Sequence, residues 1–210
     1  VIIHNAVSAN GMLTGFEVDM ELYYRLAGTL GCQADLVGSG TILAAPESGQ
    51  VDDPEEEYSV ETGSGSLLVI PDSRGDVRCW GFLQASGFWG DFACLVSEST
   101  PAEHLTYLGR RGINIVVAGS EKVDLAGGLE QLAERFGVLR VRTDSGGRLN
   151  GALVAAGLAD ELSLLVAPVI SNGPDAVPLF VGDTGPVTLE LTHEERLGGG
   201  LVWLRYDIVR

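Results

Sequence analysis

The chain has 210 residues and 22.1 kDa, 45% hydrophobic and 20% charged, which is enough for one well-filled core and too apolar for a wholly disordered chain. With 29 acidic against 13 basic residues its net charge is −16, and Lys122 is the sole lysine. A field of that sign repels phosphate backbones and anionic lipids, so neither nucleic acid nor a membrane surface is expected as a partner. No apolar run reaches the ~18 residues of a membrane-spanning helix. Cys32, Cys79 and Cys94 form no CxxC pair, and His4, His104 and His193 are scattered, which argues against a disulfide framework and against a metal site. The chain opens on Val1-Ile2-Ile3 with no basic segment before it, and it reads as a reduced, cytoplasmic protein of one domain, residues 1–210.

Apolar runs then alternate with helical patterns. Val1 to Ser8 reads as a strand and Asp19 to Leu30 as a helix with Leu22, Leu26 and Leu30 on one face. Ala34 to Val37 is a short strand running into Gly38-Ser39-Gly40-Thr41. Residues 46 to 66, rich in Pro, Glu, Gly and Ser and most polar at Glu55-Glu56-Glu57, form a solvated loop. Leu67 to Ile70 and Phe92 to Val96 are strands on either side of the aromatic stretch Trp80, Phe82, Phe88 and Trp89, which suits a pocket wall, a core or a subunit surface. Thr100-Pro101-Ala102-Glu103 is a capping box that starts a helix running to about Arg110. Ile113 to Ala118 is a strand, and Leu125, Leu129, Leu132, Ala133 and Phe136 repeat at helical spacing behind Asp124 as N-cap. Val138 to Arg142 is a strand, and Leu149 to Ala156 a helix ended by Gly157. Glu161 to Ala167, Val187 to Thr192 and Leu201 to Val209 close the chain as three strands. The last strands follow one another without helices, so the expected fold is α/β with a mixed sheet.

Three strand ends carry small or polar residues: Val37-Gly38-Ser39-Gly40-Thr41, Val117-Ala118-Gly119-Ser120, and Thr143-Asp144-Ser145-Gly146-Gly147-Arg148-Leu149-Asn150. Ligands of open α/β sheets collect at such ends, and helix N-termini there offer free amides to phosphates. None of the three matches GxGxxG or a P-loop. Taken together they point to a phosphate-bearing ligand.

In the order and wording of these elements the sequence resembles the pyrimidine reductases of riboflavin biosynthesis, which share a dihydrofolate-reductase-like fold. The likeness is densest in Arg148-Leu149-Asn150-Gly151-Ala152-Leu153, Ala156-Gly157-Leu158-Ala159-Asp160-Glu161-Leu162 and Ala167-Pro168. It extends to Val37-Gly38-Ser39-Gly40-Thr41, Asp72-Ser73-Arg74, Lys122-Val123-Asp124-Leu125 and the opening Asn5 to Gly11. The resemblance implies a three-layer fold with a central mixed, mostly parallel sheet flanked by helices, a homodimer, and an NADPH site. Gly38, Gly40 and Thr41 would border the cofactor, Ser73 would face its adenosine phosphate side, and Gly119 and Ser120 would lie nearby. The amides of Ser145, Gly146, Gly147, Arg148, Leu149 and Asn150 would hold the pyrophosphate. Arg148 and Arg74 are both candidates for a 2′-phosphate. Asp144 would be the catalytic polar group, as orienter or proton relay, and Asn5, Ser8 and Asn10 the substrate-side contacts.

The chain also departs from that family. Asp144-Ser145-Gly146 stands where Glu-Gly-Gly is usual, Thr29 stands where a substrate-phosphate arginine is common, with Arg25 one turn away, and Ala44-Ala45-Pro46 replaces a D-D-P segment that recurs as Asp52-Asp53-Pro54. Two classes of function are therefore open. One is a reductase of a pyrimidine or of another small heterocycle or carbonyl; the other is a nucleotide-binding homologue that has lost catalysis. For the C-terminal strand, alternation puts Val202, Leu204, Tyr206 and Ile208 toward the core, and Leu201, Trp203, Arg205, Asp207 and Val209 toward a partly polar subunit contact or solvent.

Overall fold

The computed structural model describes residues 1–45, 51–53 and 65–210; most of the loop read between 46 and 66, including Glu55-Glu56-Glu57, lies outside them. These residues form two compact units: the first is Val1–Cys32 with Arg140–Arg210, the second Gln33–Leu139.

The second unit is built on four parallel strands in the order β5-β4-β3-β2, where β2 is Ala34–Leu36, β3 Ser66–Pro71, β4 Trp89–Val96 and β5 Asn114–Val117. Parallel pairing forces a crossover between successive strands. Three of these crossovers carry helices: α2 (Ser39–Ala44), α3 (Trp80–Ala85) and α4 (Ala102–Arg110); α5 (Leu125–Phe136) follows β5. Leu68, Ile70, Phe92, Cys94 and Val96 pack on one face against Trp80, Leu83, Tyr107 and Leu108 of α3 and α4. On the other face α5 comes close enough that a side chain at Gly128 would strike Leu95. Buried on both faces, β3 and β4 read as continuous apolar runs.

Within the first unit the strand order is β6-β1-β7-β9-β8: β1 (Ile2–Ser8) runs parallel to β6 (Val141–Thr143) and β7 (Glu161–Ala167), and the hairpin of β8 (Thr188–Arg196) and β9 (Val202–Val209) adds antiparallel to β7. Helix α1 (Met20–Thr29) packs Leu22, Tyr23 and Leu26 on the face carrying Ile2, Leu165 and Trp203. Helix α6 (Gly147–Ala155) meets the opposite face, where its Asn150 bonds to Asn5. Both units are therefore α/β in three layers, the second all parallel and the first mixed, so that the sheet strands are mixed and mostly parallel, as expected.

Local signals explain the helix ends. Asp19 caps α1 by accepting from the Leu22 amide (3.0 Å), and Asp124 caps α5 through the Ala126 amide (3.0 Å). Gly137 and Gly157 turn the chain at φ +66 after α5 and α6. The capping box at Thr100 does not form. Helix α4 starts at Ala102 after Pro101, while the Thr100 hydroxyl accepts from the Ser97 amide and donates to the Ser73 carbonyl. Helices α2 and α3, six residues each and without a side-chain cap, were not expected. Strand β6 is shorter and later than Val138 to Arg142.

The expected faces of β9 are reversed. Trp203 is buried among Leu165, Leu22 and Leu26, and its indole N–H donates to Ser163 Oγ (2.9 Å). Val202, Leu204, Tyr206 and Ile208 are only half buried. Strand parity separates the two faces but does not say which of them α1 will cover. Among the described residues no helix is long and apolar enough to cross a membrane.

Candidate active site

In the second unit the C-terminal ends of the parallel strands form a stitched rim. Gly38 follows β2 in an extended conformation and is the N-cap of α2, with no side-chain cap. Gly40 and Thr41 are exposed, and a Cβ built on Gly40 would meet nothing within 4 Å. After β3, Asp72 is buried and its carboxylate accepts the amides of Gly75 (3.1 Å), Asp76 (3.2 Å) and Val77 (2.8 Å). The neighbouring Ser73 hydroxyl accepts from the Val123 amide (2.9 Å), so it ties the turn after β3 to the loop after β5. That loop holds Gly119 at φ +87, where a Cβ would overlap the Lys122 carbonyl oxygen. The Gly119 and Ser120 carbonyls accept the amides of Glu98 and Ser99.

Beneath this rim lie charged groups that the sequence did not single out for a role. His104 is fully buried with Nε2 3.6 Å from Asp72 Oδ2, and burial holds its pKa below the ordinary value. Asp52 accepts from the Tyr107 hydroxyl (2.6 Å) and the Gly81 amide (2.8 Å), and buried Arg111 stands 3.6 Å away. Burial and this bond raise the Tyr107 phenol far above its usual range. The recurring Asp52-Asp53 is thus a structural clamp in this chain: Arg111 also donates to the Asp53 carbonyl (3.2 Å).

In the first unit, β6 is followed by Asp144, half buried, with Arg142 Nη2 3.9 Å from its carboxylate. Gly146 is the extended N-cap of α6 and supplies no side-chain cap. The first amides of a helix have no intrahelical partners, so the α6 N-terminus at the end of a parallel strand suits an anion. Arg148 is exposed beside it, Leu149 half buried and Asn150 fully buried. Gly147 owes its identity to packing: a Cβ there would sit 2.3 Å from the Pro178 carbonyl oxygen, and one at Gly151 2.2 Å from that of Val181.

The residues assigned to substrate divide into two groups. Asn5 is buried, donating to the Ser145 carbonyl (3.3 Å) and accepting from Asn150 (3.0 Å). Ser8 and Asn10 shape the loop after β1. Ser8 Oγ donates to Asn10 Oδ1 (2.8 Å), and Asn10 Nδ2 donates to the Ser171 carbonyl (2.9 Å) and to Asn172 (3.1 Å). Residues 9–15 are zipped in this way to residues 169–179, with Thr14 donating to the Asp175 carbonyl and Ser171 to that of Thr14. The structure thus brings Asn5, Ser145 and Asn150 together and places Ser8 and Asn10 at the same end of β1.

His4 is a buried histidine of β1 that stacks on Tyr23 at 4.5 Å and shares a 2.9 Å bond with Ser163. Burial, with Arg142 and Arg205 near, lowers its pKa to about 4. Thr29 is exposed and its hydroxyl donates to the Leu26 carbonyl of its own helix; Arg25 is also exposed. Among the described residues no group of three His, Cys, Asp or Glu is placed to hold a metal ion.

Parallel strands whose C-terminal ends carry glycine-started, uncapped helices define the class: an α/β protein with a mixed, partly parallel sheet flanked by helices. The chain belongs to the RibD C-terminal domain family, whose model matches residues 28–203. A 2,5-diamino-6-ribosylamino-4(3H)-pyrimidinone 5′-phosphate reductase of Methanothermobacter thermautotrophicus is 31% identical over 179 residues, covering 81% of this chain and 78% of its own. Its namesake from Archaeoglobus fulgidus is 26% identical over 214 residues, covering 95% and 94%. Among solved structures, a pyrimidine reductase-like protein of Corynebacterium diphtheriae superposes with a TM-score of 0.68 at 18% identity, over 100% of this chain and 91% of that one. The riboflavin biosynthesis reductase Rib7 of Saccharomyces cerevisiae gives 0.67 at 16% identity, over 99% and 89%. The fold is accordingly the dihydrofolate-reductase-like one that the sequence resemblance implied.

Proposed function

We propose that the chain is an NADPH-dependent reductase that delivers hydride to a pyrimidine-type substrate of riboflavin biosynthesis, with residues 1–210 acting as one reductase domain in the cytoplasm. The observation that carries the reading is the α6 N-terminus. A helix of nine residues starts at Gly147 directly after a parallel strand, without a side-chain cap, in a chain whose relatives are named as pyrimidine reductases.

When bound, NADPH supplies the hydride, so the protein's task is to bind, orient and move a proton. The amides of Gly147 and Arg148 at the start of α6 hold the pyrophosphate, with the Arg148 side chain beside them; those of Ser145, Leu149 and Asn150, also expected there, donate instead to the Thr143 hydroxyl and the Gly146 carbonyl. Gly38, Gly40, Thr41, Gly119 and Ser120 border the cofactor, the exposed Gly40 allowing close approach. Ser73 acts on that side by fixing the loop that carries Val123. Asp144 orients the substrate or relays the proton, Ser8 and Asn10 set the loop that meets the substrate, and Asn5 acts from beneath.

The test is incubation of pure protein with NADPH and either 2,5-diamino-6-ribosylamino-4(3H)-pyrimidinone 5′-phosphate or 5-amino-6-(5-phosphoribosylamino)uracil, following loss of nicotinamide absorbance. Oxidation that requires the pyrimidine supports the reading. No turnover at high enzyme concentration with either compound removes them as substrates and directs the search to other small heterocycles and carbonyls. The exposed Thr29, its hydroxyl turned to its own helix, favours a second reading in which cofactor is bound without turnover. Hydride transfer to any compound of such a panel disposes of it.

A homodimer belongs to the same proposal, through the face opposite to the one the sequence suggested. Leu164 and Val166 of β7, Leu204 and Tyr206 of β9 and Leu191 of β8 share that face by register and are half buried or exposed. Light scattering at micromolar concentration is expected to give twice the mass of one chain; the mass of a single chain across a range of salt rejects the dimer.

A further inference from the structure

We infer that Asn150 is a positioning residue: its carboxamide, clasped to that of Asn5, fixes the turn from Asp144 to Gly147 and so sets where the first amides of α6 point. The inference rests on the reading that those amides serve the cofactor. It arises from a concentration of bonds that no strand ladder requires. Asn150 Nδ2 lies 3.0 Å from Asn5 Oδ1, 3.2 Å from the Ser145 carbonyl and 3.1 Å from the Leu179 carbonyl. Asn5 Nδ2 donates to the same Ser145 carbonyl at 3.3 Å. One side chain thus joins the turn after β6, the middle of β1 and the end of the 169–179 segment.

The chemistry of the group explains the choice of asparagine. Two N–H hydrogens are shared among three acceptors, whereas Asn150 Oδ1 is buried without a partner. The nitrogen end does the holding, and reversing the amide would set an oxygen against three oxygens. An aspartate would present the same clash with added charge. The two carbonyls, at Ser145 and Leu179, sit in irregular backbone next to buried residues and would each lose a donor if the amide were removed. Packing supplies the complementary restraint, since Gly147 and Gly151 already press α6 against Pro178 and Val181, and the Val181 amide donates to the Gly147 carbonyl (2.9 Å). Glycine contact fixes the depth of the helix. The asparagine pair fixes the turn that enters it.

The experiment compares the full chain with Asn150→Ala by amide hydrogen exchange without cofactor, by NADPH titration, and by steady-state kinetics. Exchange of the Leu149 and Asn150 amides, both bonded to the Gly146 carbonyl, should rise about tenfold, the equivalent of one lost hydrogen bond, while the amides of β3 and β4 keep their rates. The Kd and KM for NADPH should rise by a similar factor with the KM for the pyrimidine unchanged. A merely structural role would raise exchange throughout the first unit or lower kcat through unfolding without splitting the two KM values. Unchanged exchange at Leu149 and Asn150 in a folded variant overturns the inference, and so does faster exchange with unaltered NADPH affinity. Should Asn150→Ala fail to fold, Asn5→Ala removes two bonds of the clasp from the other side, and its exchange and NADPH titration are read in the same way. Failure of the unaltered chain to bind NADPH would overturn the functional reading by itself; the exchange result would still decide whether the clasp holds the turn.

Discussion

The two units bury polarity in different ways. In the first, the buried polar groups are neutral and sit within strands: His4 with Ser163 and Trp203 on the α1 face, Asn5 with Asn150 on the α6 face. The second buries carboxylates as well: Asp52 stands beside Arg111, and Asp72 beside His104, whose burial favours the neutral ring. Neutral amides and hydroxyls share hydrogens without a large desolvation cost and tolerate the middle of a sheet. Charges need several donors each and so gather where irregular backbone can supply them. Glycines divide along the same line. Gly147 is demanded by packing, whereas Gly40, also in the first turn of a helix after a parallel strand, touches nothing.

The largest effect should come from breaking a charged pair. Arg111→Met leaves the Asp52 carboxylate buried without its cation and is expected to cost about 3–5 kcal/mol in urea unfolding, with Asp52→Asn added to it recovering part of the loss. A loss below about 1 kcal/mol would mean that the charges contribute no more than the neutral groups do. Next, Gly147→Ala forces a methyl against the Pro178 carbonyl and should destabilise by roughly 1–3 kcal/mol; a neutral outcome would transfer that glycine from packing to ligand approach.

A pH series sharpens the neutral side of the comparison. His4 has a folded pKa of about 4 against an ordinary 6.5, so between those values the unfolded chain binds more protons. Stability is then fully present above pH 6.5 and falls as the pH drops toward 4, by up to roughly 1.4 kcal/mol per pH unit. His104, also held low by burial, acts in the same direction. His4→Gln should flatten, without abolishing, the slope of unfolding free energy between pH 6.5 and 4; an unaltered slope refutes the assignment to His4. The smallest effect belongs to Gly40→Ala, expected to be neutral or stabilising by about 0.5–1 kcal/mol through helix propensity while weakening NADPH binding in titration.

Much of this was legible in the sequence where a local rule applied. Asp124 as a cap, Gly157 as a terminator and the apolar runs of β3 and β4 each follow from a few neighbouring residues. Helices α2 and α3 escaped because six residues give no full period and neither has a side-chain cap. Thr100 satisfied the pattern of a capping box but found the Ser97 amide and the Ser73 carbonyl instead. The glycine-rich turn of the candidate site could be read; the asparagine pair beneath it could not, since its members lie 145 residues apart. For β9, period-2 alternation identified the two faces, and average polarity then favoured the wrong one because a single tryptophan outweighs an arginine and an aspartate when it reaches Ser163 and the α1 core.

The first unit is made of two segments with the second unit between them in sequence, and that has a consequence for biosynthesis. Strand β1 is made well before its ladder partners β6 and β7: His4 must meet Ser163 across 159 residues. The second unit is contiguous, and its four strands are complete before Arg140 is reached. On a ribosome delivering about 5–20 residues per second, Val1 to Ser8 therefore wait for several seconds as an unpaired apolar strand. Loop closure over that distance adds a further delay that the second unit does not meet. Conditions that slow translation should accordingly raise the demand for a chaperone at β1, while the second unit folds on schedule.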